Sequence, residues 1–268
     1  MINNQEPLSA AAVSDNLNTA LIGRHVEYFP VVSSTMDAAR DLVRKGVPEG
    51  TVVIAEEQTA GRGRLARSWL TPQGNIALSV ILYPRISHLP EMIMLASLGV
   101  ARSIEVVTGI KPGIKWPNDI LIGGKKACGI LLEADARVSP GERAAYVIIG
   151  IGINVNLQPS GFSEIASTAT SLSLAAGKAI SRVALVRNLL MEMDKLYVEL
   201  NTGRSLFEKW QKSLVNLGQA VTVTSFDAVF EGTAESVGPD GSLFVRCPDG
   251  ALRRVVAGDV TLKDNGWK

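Results

Sequence analysis

The chain has 268 residues, 46% of them hydrophobic, and a formal net charge of +1. That size allows one large domain plus a small one around a real core, and the near-zero charge excludes a global field able to hold a polyanion. Cys128 and Cys247 stand far apart with no metal-ligand spacing, and His25 and His88 lie in unrelated contexts. These facts argue against a disulfide framework, a histidine-rich zinc site and a His-based triad. Chemistry then falls to Arg, Lys, Asp and backbone amides, and both thiols are expected to be free and buried. No basic start followed by an apolar core marks a secretory signal. The longest apolar run, Met92–Ala101, is far short of the roughly 20 residues a membrane span needs. A soluble cytoplasmic protein without a membrane partner is expected.

In chain order, Met1 to about Pro7 is polar and expected to be loose. Leu8, Val13, Leu17, Leu21 and Ile22 fit one amphipathic helix. Val26–Val32 reads as a strand broken by Pro30. Ser34, with an acid three residues on, is a helix N-cap; its helix runs to about Lys45 and stops at Gly46 and Pro48. Strands are expected at Thr51–Ala55 and Asn75–Tyr83, and a long buried helix at Leu89–Thr108. Gly113 opens Ile114–Ile122, Gly123-Gly124 is a hairpin turn, and Lys125–Glu133 returns as a strand. Tyr146–Val155 is another. Helices follow at Ser181–Leu200 and Ser205–Leu214. From Gln219 the pattern changes to five short strands, at Val221–Ser225, Ala228–Val237, Leu243–Cys247, Leu252–Ala257 and Val260–Leu262, separated by Gly and Pro-Asp-Gly turns. These read as a small β-barrel, with a boundary near Leu217, giving domains 1–217 and 218–268.

Between the expected strands at Thr51–Ala55 and Asn75–Tyr83, Gly61, Arg62, Gly63, Arg64 and Arg67 crowd into seven positions, with Gln58 before them and Trp69 after. Glycines let backbone approach a ligand, and arginines supply permanently charged planar forks. The pattern fits a loop closing over a phosphate or carboxylate; nonspecific nucleic-acid binding and a merely solvated loop compete with it. Ser34 and Thr35 fit either plain capping or a polar ligand site at a helix start. Lys115, in an apolar strand beside Trp116 and before Pro117-Asn118-Asp119, is poorly placed for a solvated charge, and its ammonium is expected to face an anion; the alternative is a lysine at a sheet edge. Gly150-Ile151-Gly152-Ile153-Asn154 superficially resembles the opening of a dinucleotide fingerprint but lacks the third glycine and the helix. A strand whose glycines admit a flat ligand, with Asn154 at a heteroaromatic edge, competes with a simple Asn cap or turn.

Four motifs, the Gln58–Trp69 loop, Lys115–Asp119, Lys126–Leu131 and Gly150–Asn156, stand in the order and spacing of the biotin protein ligases. The chain resembles that family from about Arg24 to its end. The resemblance implies an α/β (α+β) fold: a mixed sheet with flanking helices, related to class II synthetases and lipoate ligases, plus a small C-terminal SH3-like β-barrel. It implies two half-reactions. Biotin and MgATP give biotinyl-5'-AMP and pyrophosphate, and a lysine of a biotin carboxyl carrier domain then takes the biotin, releasing AMP.

The resemblance also implies roles. Arg62, Arg64 and Lys115 would hold carboxylate and α-phosphate; Ser34, Thr35, Met36 and Gln58 would take biotin's ring, with Gly63 and Gly129 beside it. Arg64, Arg67, Lys115 and Lys126 would hold ATP or the adenylate, with Trp69 over the adenine face and Asn154 at its edge. Asp119 would orient the acceptor amine and take its proton. Mg2+ enters with ATP, and no dedicated protein metal site is expected. The family often forms homodimers through the catalytic sheet. Two departures stand out: Ala66 replaces a usual loop glycine, which disfavours φ > 0 there, and Met36 stands where Asn is common. Thirty-three residues precede Ser34 without a helix-turn-helix pattern, so no DNA binding is expected. The competing readings are a sister ligase for lipoate or another acyl acid, and a non-enzymatic binder of RNA or adenylate.

Overall fold

The computed structural model describes residues 6–139, 142–225 and 228–262. Seven strands, β1 (Val26–Val32), β2 (Val52–Gln58), β3 (Ile76–Leu82), β4 (Gly113–Lys115), β5 (Asp119–Ile122), β6 (Lys125–Ser139) and β7 (Arg143–Ile153), form one sheet in the order β1-β2-β3-β7-β6-β5-β4. Among the described strands only β1 and β2 pair in parallel, and that pairing requires a crossover. The crossover is α2 (Thr35–Arg44), which follows α1 (Ala10–Ser14) and precedes α3 (Met92–Thr108), α4 (Leu172–Ala176), α5 (Arg182–Asn201) and α6 (Phe207–Ser213). The expected mixed sheet with flanking helices is therefore present.

Alternation decides which face each residue serves. Ile54, Leu78, Val80, Val147 and Ile149 join the large core under α3 and α5, whereas Val53, Ile81 and Ile148 join a smaller cluster with Met36 and Ala39 of α2. α2 is short, so it covers only one end of its face. The uncovered end holds the site.

The expected helix across Leu8–Ile22 is corrected: α1 is a short helix capped by Ser9, and Asn16 then takes φ 55°. Beyond it the chain is fixed not by helical bonding but by Asp194 of α5. Its carboxylate accepts from the amides of Ala20, Leu21 and Ile22 at 2.7, 2.9 and 2.8 Å. Pro30 does not break β1 either. Among the described strands β1 lies at the sheet edge with β2 as its one partner, and a proline is tolerated where no N–H is needed. β6 and β7 run past their expected ends, to Ser139 and from Arg143, as one long hairpin. The expected loose terminus, Met1 to about Pro7, falls largely outside the described residues.

The C-terminal strands, β8 (Ala220–Thr224), β9 (Val229–Val237), β10 (Leu243–Arg246), β11 (Leu252–Val255) and β12 (Asp259–Leu262), make a separate antiparallel sheet ordered β11-β10-β9-β8-β12. It is tied to the larger sheet at Trp116, whose Nε1 donates to Gly241 O at 2.8 Å and whose backbone N–H donates to Asn216 Oδ1 at 2.7 Å. The turn carrying Lys115 thus seats the small sheet, which brings the start of β12 to the site.

Candidate active site

The floor of the site follows from cross-strand register on the α2 face. Ala77, Gly152 and Gly129 lie abreast on β3, β7 and β6; Ser79, Gly150 and Leu131 form the next rank; Ile81, Ile148 and Glu133 form the one after. Side chains shrink as the ranks leave α2, opening a trough. The cavity above it measures about 1010 Å³ and is lined by every residue to which the resemblance gave a role: Ser34, Thr35, Met36, Gln58, Arg62, Gly63, Arg64, Arg67, Trp69, Lys115, Asp119, Lys126, Gly129 and Asn154.

The start of α2 forms the neutral polar end. Ser34 caps the helix by accepting from Met36 N–H at 3.3 Å. Thr35 N–H donates to Gln58 Oε1 at 2.8 Å, Gln58 Nε2 donates to Thr71 Oγ1 at 2.9 Å, and Ser79 Oγ donates to Thr35 Oγ1 at 2.9 Å. Gln58 is thereby oriented by two neighbours. Met36 packs over Gly150, where an added Cβ would sit 2.6 Å from its sulfur. It fills space with Ile81 and Ile148 rather than offering a polar contact.

The Arg-Gly segment is a small hairpin across the trough. Arg62 bridges Ser68, Gly63 N–H donates to Arg67 O at 2.7 Å, and Trp69 N–H donates to Gly61 O at 2.9 Å. The left-handed turn at its tip falls on Leu65, φ 53°; the side chain of Ala66 lies outside the described residues. Trp69 lies flat on the glycine rank: a Cβ on Gly152 would stand 2.2 Å from its Nε1, and one on Gly129 would stand 3.0 Å from its Cζ3. These two glycines are what the flat ring needs. Lys126 Nζ stands 5.5 Å from the ring centroid of Trp69, and a Cβ on Gly129 would lie 3.3 Å from it.

The cations converge from separate segments. Arg64 donates to Asn118 Oδ1 at 3.0 Å and to Gly258 O at 3.1 Å, and Asp259 lies 3.8 Å from it and 2.5 Å from Arg67. Arg62 pairs with Asp37 at 2.6 Å. Lys126 Nζ stands 2.7 Å from Asp119 Oδ1, opposite Lys115 in the β4–β5 register. That oxygen still has no hydrogen bond of good geometry, so the contact is an off-axis ion pair. Lys115 itself has no ion-pair partner among the described residues, and burial pushes its pKa below the ordinary lysine value, against the pull of Asp119. Burial likewise lowers Arg64, with Asp259 and Asp119 opposing. Two half-buried cations, Lys115 without an ion pair among the described residues and Arg64 sharing Asp259 with the closer Arg67, make a site that gains by admitting an anion. Asn154, buried, donates Nδ2 to Thr170 O at 3.1 Å, which fixes its carboxamide beside the glycines.

Sequence reasoning missed Asp37, Asn118, Gly258 and Asp259. Asn118 was within the recognised turn, but Gly258 is 194 residues from Arg64 along the chain and no local pattern links them. Both cysteines are free and buried. No helix among the described residues is long and apolar enough to cross a membrane, and none of their His, Cys, Asp and Glu side chains cluster in threes to hold a metal ion.

Comparison with known proteins adds independent findings. Residues 28–154 match the model of the biotin/lipoate A/B protein ligase family, and residues 217–263 match that of the biotin protein ligase C-terminal domain. The chain is 38% identical over 261 residues to the bifunctional ligase/repressor BirA of Bacillus subtilis, covering 95% of this chain and 79% of that one. It is 32% identical over 273 residues to the biotin–[acetyl-CoA-carboxylase] ligase of Mycobacterium tuberculosis, covering 95% of each. Among solved structures it resembles the Aquifex aeolicus biotin protein ligase in complex with biotin and ATP, with TM-score 0.74 and 27% identity over 90% of this chain and 100% of that one.

Proposed function

The chain belongs to the biotin protein ligase family, and from that premise we propose that its cavity carries out the family's two half-reactions. Biotin and ATP are joined as biotinyl-5'-AMP with loss of pyrophosphate, and the biotin then passes to a lysine of a biotin carboxyl carrier domain with release of AMP. The observation that carries this reading is the convergence of Arg62, Arg64, Arg67, Lys115 and Lys126 on one cavity with a neutral polar end and a glycine-floored aromatic shelf.

In the first step a carboxylate oxygen of biotin attacks the α-phosphorus of ATP and pyrophosphate leaves. Two anions must meet, so catalysis is chiefly charge neutralisation and positioning. Lys115 and Arg64, both half-buried in the cavity wall, serve here, and each such donor is worth roughly 3–4 kcal/mol at the transition state. Arg62 and Arg67 flank them. Biotin's uncharged ureido ring needs donors and acceptors rather than charge, which Ser34, Thr35 and Gln58 supply beside Met36, Gly63 and Gly129. Trp69 covers the adenine, Asn154 meets its edge, and Lys126 lies on the phosphate side of the indole. Mg2+ is carried by the phosphates of ATP; of the three carboxylates that line the cavity, Asp119, Glu164 and Asp259, the first and last are each already paired with a cation.

In the second step the acceptor amine must lose its proton. An ordinary lysine at neutral pH needs roughly 4–5 kcal/mol for this. Asp119, at the cavity wall beside Lys126, is suited to orient the amine and receive that proton. The nitrogen then attacks the acyl carbon and the AMP phosphate leaves. A cytoplasmic setting, a homodimer through the catalytic sheet and a catalytic unit ending near Leu217 complete the proposal. Its test is biotin-dependent exchange of labelled pyrophosphate into ATP. Exchange with biotin and none with lipoate is the expected result, and no exchange with biotin refutes it.

A further inference from the structure

Arg62 lines the cavity while paired with an acid of α2. Asp37, in the first turn of α2, accepts from Arg62 Nη2 at 2.6 Å and from Arg40 Nη1 at 2.8 Å through the same oxygen. Arg40 in turn donates Nε and Nη2 to the two oxygens of Glu133 at 2.9 and 2.6 Å, a fork-to-fork pair. Tyr146 Oη donates to the same carboxylate at 3.2 Å. A continuous set of contacts thus runs from the hairpin through α2 to β6 and β7 in the sheet. Held by Arg40, Glu133 lies below the usual carboxylate range. The brace is therefore charged at neutral pH.

We propose that Asp37 is a positioning residue that holds Arg62 over the cavity both before and while ligand is bound, with Arg40 and Glu133 fixing Asp37 to the sheet. The inference rests on the ligase reading of the site. Its direction comes from donor arithmetic. A guanidinium carries five N–H groups in one plane, and Arg62 spends one of them on Asp37. The pair and a ligand contact are compatible, so Asp37 acts as a hinge pin rather than as a competitor for the anion. The pair is also a tether on the hairpin: it fixes the strand entering the turn, while Asn118, Gly258 and Asp259 fix Arg64 and Arg67 beyond it. Both partners are about two-fifths exposed, at 43% and 40%, so the effect of losing the pair is modest, about 2- to 5-fold.

The experiment measures dissociation of biotinyl-5'-AMP from the parent, Asp37→Asn, Arg62→Ala and the double variant, and tryptic cleavage after Arg62 in each unliganded protein that keeps it. Asp37→Asn is expected to release adenylate about 2- to 5-fold faster and to be cleaved faster, with the melting temperature unchanged because Arg40 keeps Glu133. The double variant is expected to match Arg62→Ala, since Asp37 acts only through that side chain. Additive effects in the double variant, slower release in Asp37→Asn, or cleavage equal to the parent's would each overturn the proposal. A parent that makes no adenylate would sink the ligase reading, and the cleavage rates would still decide the tether.

Discussion

Replacing Gly152 by alanine should separate the nucleotide end of the cavity from the vitamin end. The new methyl would stand 2.2 Å from Trp69 Nε1 and 2.3 Å from its Cε2, so the indole must retreat by more than about 1 Å to reach ordinary contact. Trp69 closes a hairpin through its backbone bond to Gly61, so the ring lifts off the shelf instead of sliding along it. Base stacking on an aromatic side chain is worth about 1–3 kcal/mol, so the KM for ATP and the adenylate dissociation rate should rise by about 5- to 150-fold. The KM for biotin should change little. Gly150→Ala is the contrast, because its methyl would stand 2.6 Å from the sulfur of buried Met36, on the biotin side of the trough. It should raise the KM for biotin and destabilise the fold by about 1–3 kcal/mol through overpacking. Pyrophosphate exchange with each substrate varied in turn, together with tryptophan fluorescence, measures both. A Gly152→Ala protein with an unchanged KM for ATP, or with both KM values raised alike, would refute the reasoning.

Lys115→Met should cut exchange by about 100- to 1000-fold while leaving the melting temperature equal or higher, because it removes a half-buried cation with no ion-pair partner among the described residues. The lowered pKa of Lys115 has a sign that can be checked: exchange should fall with rising pH at a midpoint below that of a free lysine. In the same window the unfolded chain binds more protons than the folded one, so the unliganded protein should gain stability as pH rises. Arg64→Gly should loosen the adenylate by about tenfold or more and affect biotin binding less, since Arg64 is held beside Asn118 and Gly258; equal adenylate dissociation rates in variant and parent would count against this. Asp194→Ala leaves three amides without their carboxylate and should cost roughly 3 kcal/mol, a fall of about 6–12 °C in melting temperature, with exchange at permissive temperature unaffected.

Much of this protein could be read before any coordinates. The N-cap at Ser34, strands over Val26–Val32 and, within one residue at each end, Asn75–Tyr83, the long buried helix ending at Thr108 and the five short C-terminal strands all follow from local rules: capping chemistry, alternation of side chains and turn residues. Errors arose where a distant group overrode local preference. Leu8–Ile22 has a helical pattern, yet Asp194, more than 170 residues on, offers its amides better partners than a helix would.

The residue types that line the cavity were legible in the sequence, because charged forks, glycines and an indole crowd into one short segment. Tertiary structure decided which of them share a space and what holds them there. Cross-strand register put Ala77, Gly152 and Gly129 in one rank. Docking of the small sheet on Trp116 brought Gly258 and Asp259 to Arg64 and Arg67. Asp37 could be read as the acid of a helix start, but its hold on Arg62 could not. Ion pairs between distant segments leave no periodicity in a sequence; they exist only once folding has brought the partners within a few ångströms.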